Sequence, residues 1–230
     1  MCNGIEMLCN FELVLITIMD LTSTYFFAPY EDYSQLNIVL ELLAVIFGLV
    51  SVWLSKLNNI LVYPTGLIST SIYVYLLFHW GLLGDMMING YYVAMGIYGW
   101  YYWSKKKNGL EVHKIATITG AELRMIFALF LSTLLFVFGI YSVFSFWGSV
   151  VSYIDACTSA LFFVAMFLMA RRKVEHWIFW IVGDVISIPL YIYKGFALTG
   201  LQYLIFTLIA IGGYISWKKE LDYERRKNCF

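Results

Sequence analysis

Apolar runs of near membrane-crossing length follow one another along almost the whole of this chain, and Lys and Arg are nearly confined to the gaps between them. Eight runs can be drawn, at 11–28, 36–54, 60–79, 84–104, 123–142, 154–170, 176–194 and 197–217. A hydrocarbon core about 30 Å thick needs about 20 apolar residues in helical form, and the last seven runs meet or nearly meet that length. The sequence is 61% hydrophobic and 13% charged, about half the charged share of a soluble domain. No polar stretch is long enough for a separate soluble domain. The expected fold is an all-α polytopic membrane protein. The first run differs from the others, because Glu12, Thr17, Asp20, Ser23 and Thr24 gather on one helical face. It can span the membrane or lie amphipathically at its interface.

Fourteen of the fifteen Lys and Arg residues fall on one side if the last seven runs alternate across the membrane; Lys194 alone falls on the other. Basic residues collect on the cytoplasmic side, so a cytoplasmic C-terminus is expected. The formal net charge is zero, which predicts no nucleic-acid partner. Cys2, Cys9, Cys157 and Cys229 have no paired or metal-ligand spacing. Glu6 and Glu12, with no Lys or Arg nearby, do not make a cleaved signal peptide. The histidines are scattered, and zinc-protease, nucleophile-elbow, Walker and dinucleotide motifs are missing. An enzyme, a cofactor and a metal site are therefore not expected.

The runs group as three, one and three. Placing Gly66 on Gly183, an offset of 117, also puts Lys56 on Lys173 and Tyr63 on Trp180. Placing Gly99 on Gly213, an offset of 114, superposes two Gly-aromatic-x-x-Trp endings, each followed by lysine. A single linker helix between two three-helix halves gives both the same orientation, the parallel repeat of SWEET-type transporters, whose substrate site lies between the halves. The expected layout is an N-terminal helix and loop at 1–35, a first repeat at 36–104, a loop and linker helix at 105–145, a second repeat at 146–217 and a cytoplasmic tail at 218–230.

Polar residues inside the runs are the candidate site. Trp177, Trp180, Asp184, Ser187 and Tyr191 fall at i, i+3, i+7, i+10 and i+14, one helical stripe. Asp184 lies about 12 Å into its helix at about 1.5 Å rise per residue. A carboxylate there costs about 2.5–3.5 kcal/mol on insertion scales. It either pairs inside the bundle or faces a polar or cationic ligand. Trp177 reads as an interface anchor or a ligand contact, and Trp180, one turn deeper, can offer its face to a cation. With the 117 offset the partner stripe is Ile60, Tyr63, Leu67, Thr70 and Val74, which has no acid. Asn89 and Gln202 are amides suited to hydroxyls or to helix–helix bonds. Pro64 and Pro189 both fall inside runs, as tolerated packing or as hinges. Asn58 and Asn59 can cap the following helix, Trp100-Tyr101-Tyr102-Trp103 reads as an interfacial belt, and Glu41 and Asp155 read as acids at solvated helix starts.

Arg172-x-x-Glu175-x-Trp177-x-x-Trp180-x-x-x-Asp184 resembles the motif of the PnuC nicotinamide riboside transporters, whose last position is Asn or Asp. The first half agrees, with Trp53 ahead of Asn59, then Tyr63-Pro64-x-Gly66 and Tyr98-Gly99-Trp100-x-x-Trp103. Tyr63 departs from the pattern, since many members have a Trp-Pro tryptophan there. The resemblance covers about 36–219. It implies a SWEET-like 3+1+3 bundle, a homotrimer in a bacterial inner membrane, and facilitated diffusion of a B-type vitamin trapped by a cytosolic kinase. Nicotinamide riboside is the expected substrate, with thiamine or riboflavin as alternatives, and a membrane receptor or scaffold as a further class. Trp180, Asp184, Trp177, Tyr191, Ser187, Tyr63, Thr70, Asn89, Gln202 and Trp53 form the expected substrate-binding set.

Overall fold

The computed structural model describes residues 34–79, 83–107, 110–143, 150–193 and 197–227. The run at 11–28, Lys194, Cys2, Cys9 and Cys229 lie outside them. Among the described residues there are seven helices: α1 (Gln35–Lys56), α2 (Val62–His79), α3 (Leu83–Ser104), α4 (Gly120–Val143), α5 (Val150–Ala170), α6 (His176–Tyr193) and α7 (Ala197–Lys227). A two-residue hairpin, β1 (Lys106–Lys107) with β2 (Leu110–Glu111), follows α3. The all-helical expectation holds apart from that pair. Among the described residues α1, α4, α5, α6 and α7 are long and apolar enough to cross a membrane. Helices α2 and α3, of 18 and 22 residues, reach the length but are less apolar than those five. Their Tyr, Gly, Ser and Thr residues dilute the apolar surface that hydropathy measures.

Helices α1, α2 and α3 pack consecutively, as do α5, α6 and α7, and α4 lies on α5. The two trios meet where α3 packs on α5 and where α1 packs on α7. Exchanging the trios turns one of those contacts into the other.

The turn between the first two helices of each trio is built twice with one hydrogen-bond pattern. In the first, N–H groups of Leu57, Asn58, Asn59, Val62 and Tyr63 donate to the carbonyls of Trp53, Ser55, Leu54, Asn59 and Ile60. In the second, those of Arg171, Arg172, Lys173, His176 and Trp177 donate to Phe167, Met169, Leu168, Lys173 and Val174. Every donor and acceptor is displaced by 114 residues. Asn58 and Arg172 occupy the same position and both take positive φ, 52° and 54°. A left-handed residue after a helix lets the next N–H groups reach back to its unpaired carbonyls. The 117 offset for this region is therefore corrected to 114. Tyr63 corresponds to Trp177, Gly66 to Trp180, Thr70 to Asp184, and Asn89 to Tyr203 rather than to Gln202. Gapless apolar sequences match at several offsets, and hydrogen bonds choose among them.

Each turn is clamped by a different segment. The chain before α4 runs alongside the second turn as a parallel bridge between Ala116 and Lys173. Arg172 donates to the His113 carbonyl, the Ile118 N–H donates to the Glu175 carboxylate at 3.1 Å, and Lys173 Nζ reaches the Thr117 carbonyl at 3.1 Å. Glu122 and Thr119 form a capping box at the start of α4, and the same carboxylate takes Lys173 Nζ at 2.9 Å. Thus Arg172 and Glu175 of the sequence motif hold the linker. Desolvation and the nearby cations Lys105, Arg172 and Arg171 hold the His113 imidazole below its ordinary pKa. The first turn is clamped by α7 instead, where Asn58 Nδ2 donates to Glu220 at 3.0 Å and Lys114 pairs with Glu224. Leu221 is buried beside them. The expected tail from 218 is accordingly helical to Lys227.

Local expectations divide. Asn59 Oδ1 accepts the Leu61 N–H at 2.9 Å, the cap expected of it. Pro64 sits in the first turn of α2, where a missing N–H breaks no intrahelical bond, so of its two readings tolerated packing holds. Pro189 does lie within α6. Asp155 takes the Tyr141 hydroxyl at 2.9 Å, tying α4 to α5 rather than standing solvated. Trp103 leaves the expected interfacial belt, being 2% exposed in the core.

Gly99 and Gly213 let the Tyr63 and Trp177 rings rest on the neighbouring helix backbone, where a Cβ would overlap either ring. For Gly213→Ala, overpacking of about 1–3 kcal/mol outweighs a helix-propensity gain of at most about 1 kcal/mol. A lower unfolding temperature in detergent is expected, read by tryptophan fluorescence.

Candidate functional site

Helix α6 presents the predicted stripe inward: Trp177, Asp184 and Ser187 are buried, and Trp180 and Tyr191 half-buried. The bundle divides that stripe between two aromatic clusters.

The cluster around Asp184 draws on four helices. Trp180 stacks on Phe162 of α5 at 5.3 Å between ring centroids and lies 6.5 Å from Tyr92 of α3. Phe162 stacks in turn on Tyr203 of α7 at 6.0 Å, and Tyr203 meets Tyr191 at 5.1 Å. Gly183 lies directly under the Phe162 ring, which any side chain there would displace. Behind Tyr92, Tyr91 stacks on Phe163 at 3.9 Å and donates its hydroxyl to the Phe163 carbonyl at 3.0 Å. Asp184 is 2% exposed and lies within electrostatic range of the Tyr92 and Tyr203 hydroxyls. Ser187, one turn on, is buried with no hydrogen-bond partner for its hydroxyl. A buried carboxylate on a helix face rich in aromatic residues suits an aromatic cation, since a ring face attracts a cation by about 0.5–2 kcal/mol.

The repeat makes this wall one-sided. Phe162 and Trp180 correspond to Gly48 and Gly66, which pack closely on Ser69 and Ser51. Those hydroxyls bond the Ala44 and Val62 carbonyls across the α1–α2 contact at 2.7 and 2.8 Å. The first half thus spends its matching positions on helix packing. Thr70, at the place of Asp184, donates back to Gly66 of its own helix.

The remaining predicted residues lie elsewhere. Trp177 is 1% exposed against Trp217 and His176, an interior position that does not suit the anchor, the first of its two readings. Tyr63 is equally buried, edge-on to Trp103 at 5.1 Å. Asn89 donates to the Asp85 carbonyl of its own helix at 3.0 Å, and Gln202 is half-buried beside Tyr203 in the chain. Trp53 is 49% exposed under the Lys56 ammonium, 4.3 Å from its ring centroid. Sequence reasoning missed Tyr92, Phe162 and Tyr203. Aromatic residues are frequent throughout these runs, and only the 114 spacing that places Tyr203 on Asn89 marked one of them.

Fold and composition together define a multi-helix membrane protein with an acid buried in its bundle. Residues 38–219 match the family described as Nicotinamide mononucleotide transporter, and the chain belongs to that family. The nicotinamide riboside transporter PnuC of Escherichia coli (strain K12) is 29% identical over 201 residues, 77% of this chain and 84% of that protein. The PnuC of Neisseria mucosa is 28% identical over 226 residues, 91% of this chain and 81% of its own. The riboflavin/roseoflavin transporter RibM of Streptomyces davaonensis is 27% identical over 177 residues, covering 75% and 81%. The crystal structure of the vitamin B3 transporter PnuC shares the fold, with a TM-score of 0.61 at 24% identity, covering 90% of this chain and 88% of that one. These relatives are transporters, not enzymes.

Trp180→Ala and Phe162→Ala are each expected to weaken binding of a cationic aromatic ligand by about 0.5–2 kcal/mol, leaving the protein folded. Trp177→Ala should act mainly on stability, by about 3–5 kcal/mol. Isothermal titration beside thermal unfolding in detergent separates the two effects.

Proposed function

We propose that this protein carries nicotinamide riboside across a bacterial inner membrane by facilitated diffusion. The observation that carries the reading is Asp184, buried on the α6 face that also bears Trp180, whose ring stacks on Phe162. Nicotinamide riboside joins a cationic pyridinium ring to a neutral ribose. The ring fits between aromatic faces beside the carboxylate, and the Ser187, Tyr191 and Tyr203 hydroxyls suit the sugar.

The reading extends to architecture. Two SWEET-like three-helix halves in parallel orientation, joined by α4, open the site to either side in turn. The 114-residue recurrence of the turn supports that arrangement. Fourteen of fifteen basic residues on one side support a cytoplasmic C-terminus. The family resemblance supports a homotrimer and trapping of the substrate by a cytosolic kinase.

Thiamine, also a cation, is the alternative that Asp184 favours. Riboflavin is uncharged and gains nothing from the carboxylate, although one relative is a riboflavin transporter. Radiolabelled nicotinamide riboside is expected to bind the purified protein and to be displaced by thiamine far better than by riboflavin. No binding, or stronger binding of a competitor, removes the substrate assignment. Asp184→Ala should lower affinity about tenfold or more while the oligomer persists, since an ion contact in a dry site exceeds an exposed one. Uptake into proteoliposomes should survive collapse of proton and sodium gradients; dependence on either gradient rules out facilitated diffusion.

A further inference from the structure

The second aromatic cluster lies where α1 meets α2 and α5 meets α6, at the end of the bundle reached by α3 and α7. Trp103, near the end of α3, donates its indole N–H across the trios to the Ala170 carbonyl of α5 at 3.2 Å. Trp217 of α7 donates across the other contact to the Ser55 carbonyl of α1 at 2.9 Å. The donors are 114 residues apart, and the acceptors keep that spacing to within one residue. The bond is thus made reciprocally, once on each side of the pseudo-symmetric core. Both acceptors belong to the last turn of a helix, and the Ser55 carbonyl also takes the Asn58 N–H at 2.9 Å, so water can replace an indole that leaves either carbonyl.

Contacts within each trio are of another kind. Tyr63 is locked on Gly99, and Trp177 on Gly213, by ring-to-backbone contact that leaves no room for a Cβ. Each trio therefore moves as a unit more readily than it comes apart. Between trios at this end stand the two indole bonds, the Asn58–Glu220 hydrogen bond at 3.0 Å, the 5.8 Å contact of Trp103 with Trp217, and the Arg172 guanidinium 4.2 Å above the Trp103 ring.

The cluster also encloses polar atoms that a permanent core would not keep. Ser55 Oγ, the Tyr63 hydroxyl, His176 Nε2 and Trp177 Nε1 are buried without hydrogen-bond partners, in residues 2% exposed or less. His176 Nδ1 lies 2.6 Å from the Lys173 carbonyl. That contact assigns the proton to Nδ1 and leaves Nε2 a bare acceptor. Donors and acceptors stranded among tryptophans disfavour the closed packing and are satisfied once water or a polyhydroxylated solute enters.

We propose that Trp103 and Trp217 are the paired latch of a gate at this end of the transport path, and that Ser55, Tyr63, His176 and Trp177 line the passage it closes. The inference rests on the transport reading above but not on the identity of the substrate. It separates two roles along the α6 stripe: Trp180 and Asp184 hold the solute, and Trp177 lies in its way out.

The test uses the full-length chain with its four cysteines replaced by serine and Ser55→Cys added, reconstituted in proteoliposomes. A membrane-impermeant thiol reagent is supplied from the side of the turns. Ser55→Cys is expected to react measurably although its side chain is enclosed. Trp103→Phe or Trp217→Phe, each removing one N–H donor, should speed labelling about fivefold, and the pair by the product of the two. An unreactive Ser55→Cys in every background, or rates indifferent to both phenylalanines, overturns the gate. If the Phe variants do not fold, the Ser55→Cys rate alone decides, a measurable rate supporting the gate and none overturning it. Nicotinamide riboside binding on the same samples separates the two readings. Faster labelling without binding removes the substrate and leaves the gate, and binding with no labelling does the reverse.

Discussion

The hydrogen bonds that close the α1–α2 and α5–α6 turns are the constraint on which the rest of the bundle depends. A helix ending in or near hydrocarbon leaves carbonyls that lipid cannot satisfy. Asn58 and Arg172 answer this with left-handed backbone, returning the next N–H groups to the ends of α1 and α5. The direction of each following helix is thereby fixed, and with it the inward face of α6. Asp184, eight residues past the start of that helix, is buried because the turn aims it there.

The two halves use one backbone plan for different ends. Glycines and serines in the first half bring α1 and α2 into close contact through Ser51 and Ser69. The second half places Phe162 and Trp180 at the positions of Gly48 and Gly66, and an acid at that of Thr70. A symmetric frame thus carries aromatic rings and an acid in one half and close helix packing in the other. The clamps differ for the same reason. Arg172 and Glu175 bind the linker to one turn, and the extended α7 holds the other.

Much of this was legible in the residues. Spacing gave the helices, and the stripe from Trp177 to Tyr191 named the face that proves buried. The repeat was visible, yet its register was not. Gly66 and Gly183 invited an offset of 117, because apolar helices offer many glycines and few distinctive polar marks. Trp177 read equally well as an anchor, since tryptophan is common both at interfaces and in cores. Tyr92 and Phe162 carried no mark at all among thirty-six Phe and Tyr residues, and Tyr203 only its 114 spacing from Asn89.

The sequence by itself determined a many-helix membrane protein with an acid where lipid would not keep one. Hydropathy and charge are additive along a chain, so they can be read without a fold. Only the tertiary structure decided which rings enclose Asp184, that Thr70 stands opposite it in the repeat, and that Arg172 serves the linker rather than a ligand. The contacts among them join residues 41 to 88 positions apart. Helix rotation and the register of two turns set them, and neither is written in any local run of residues.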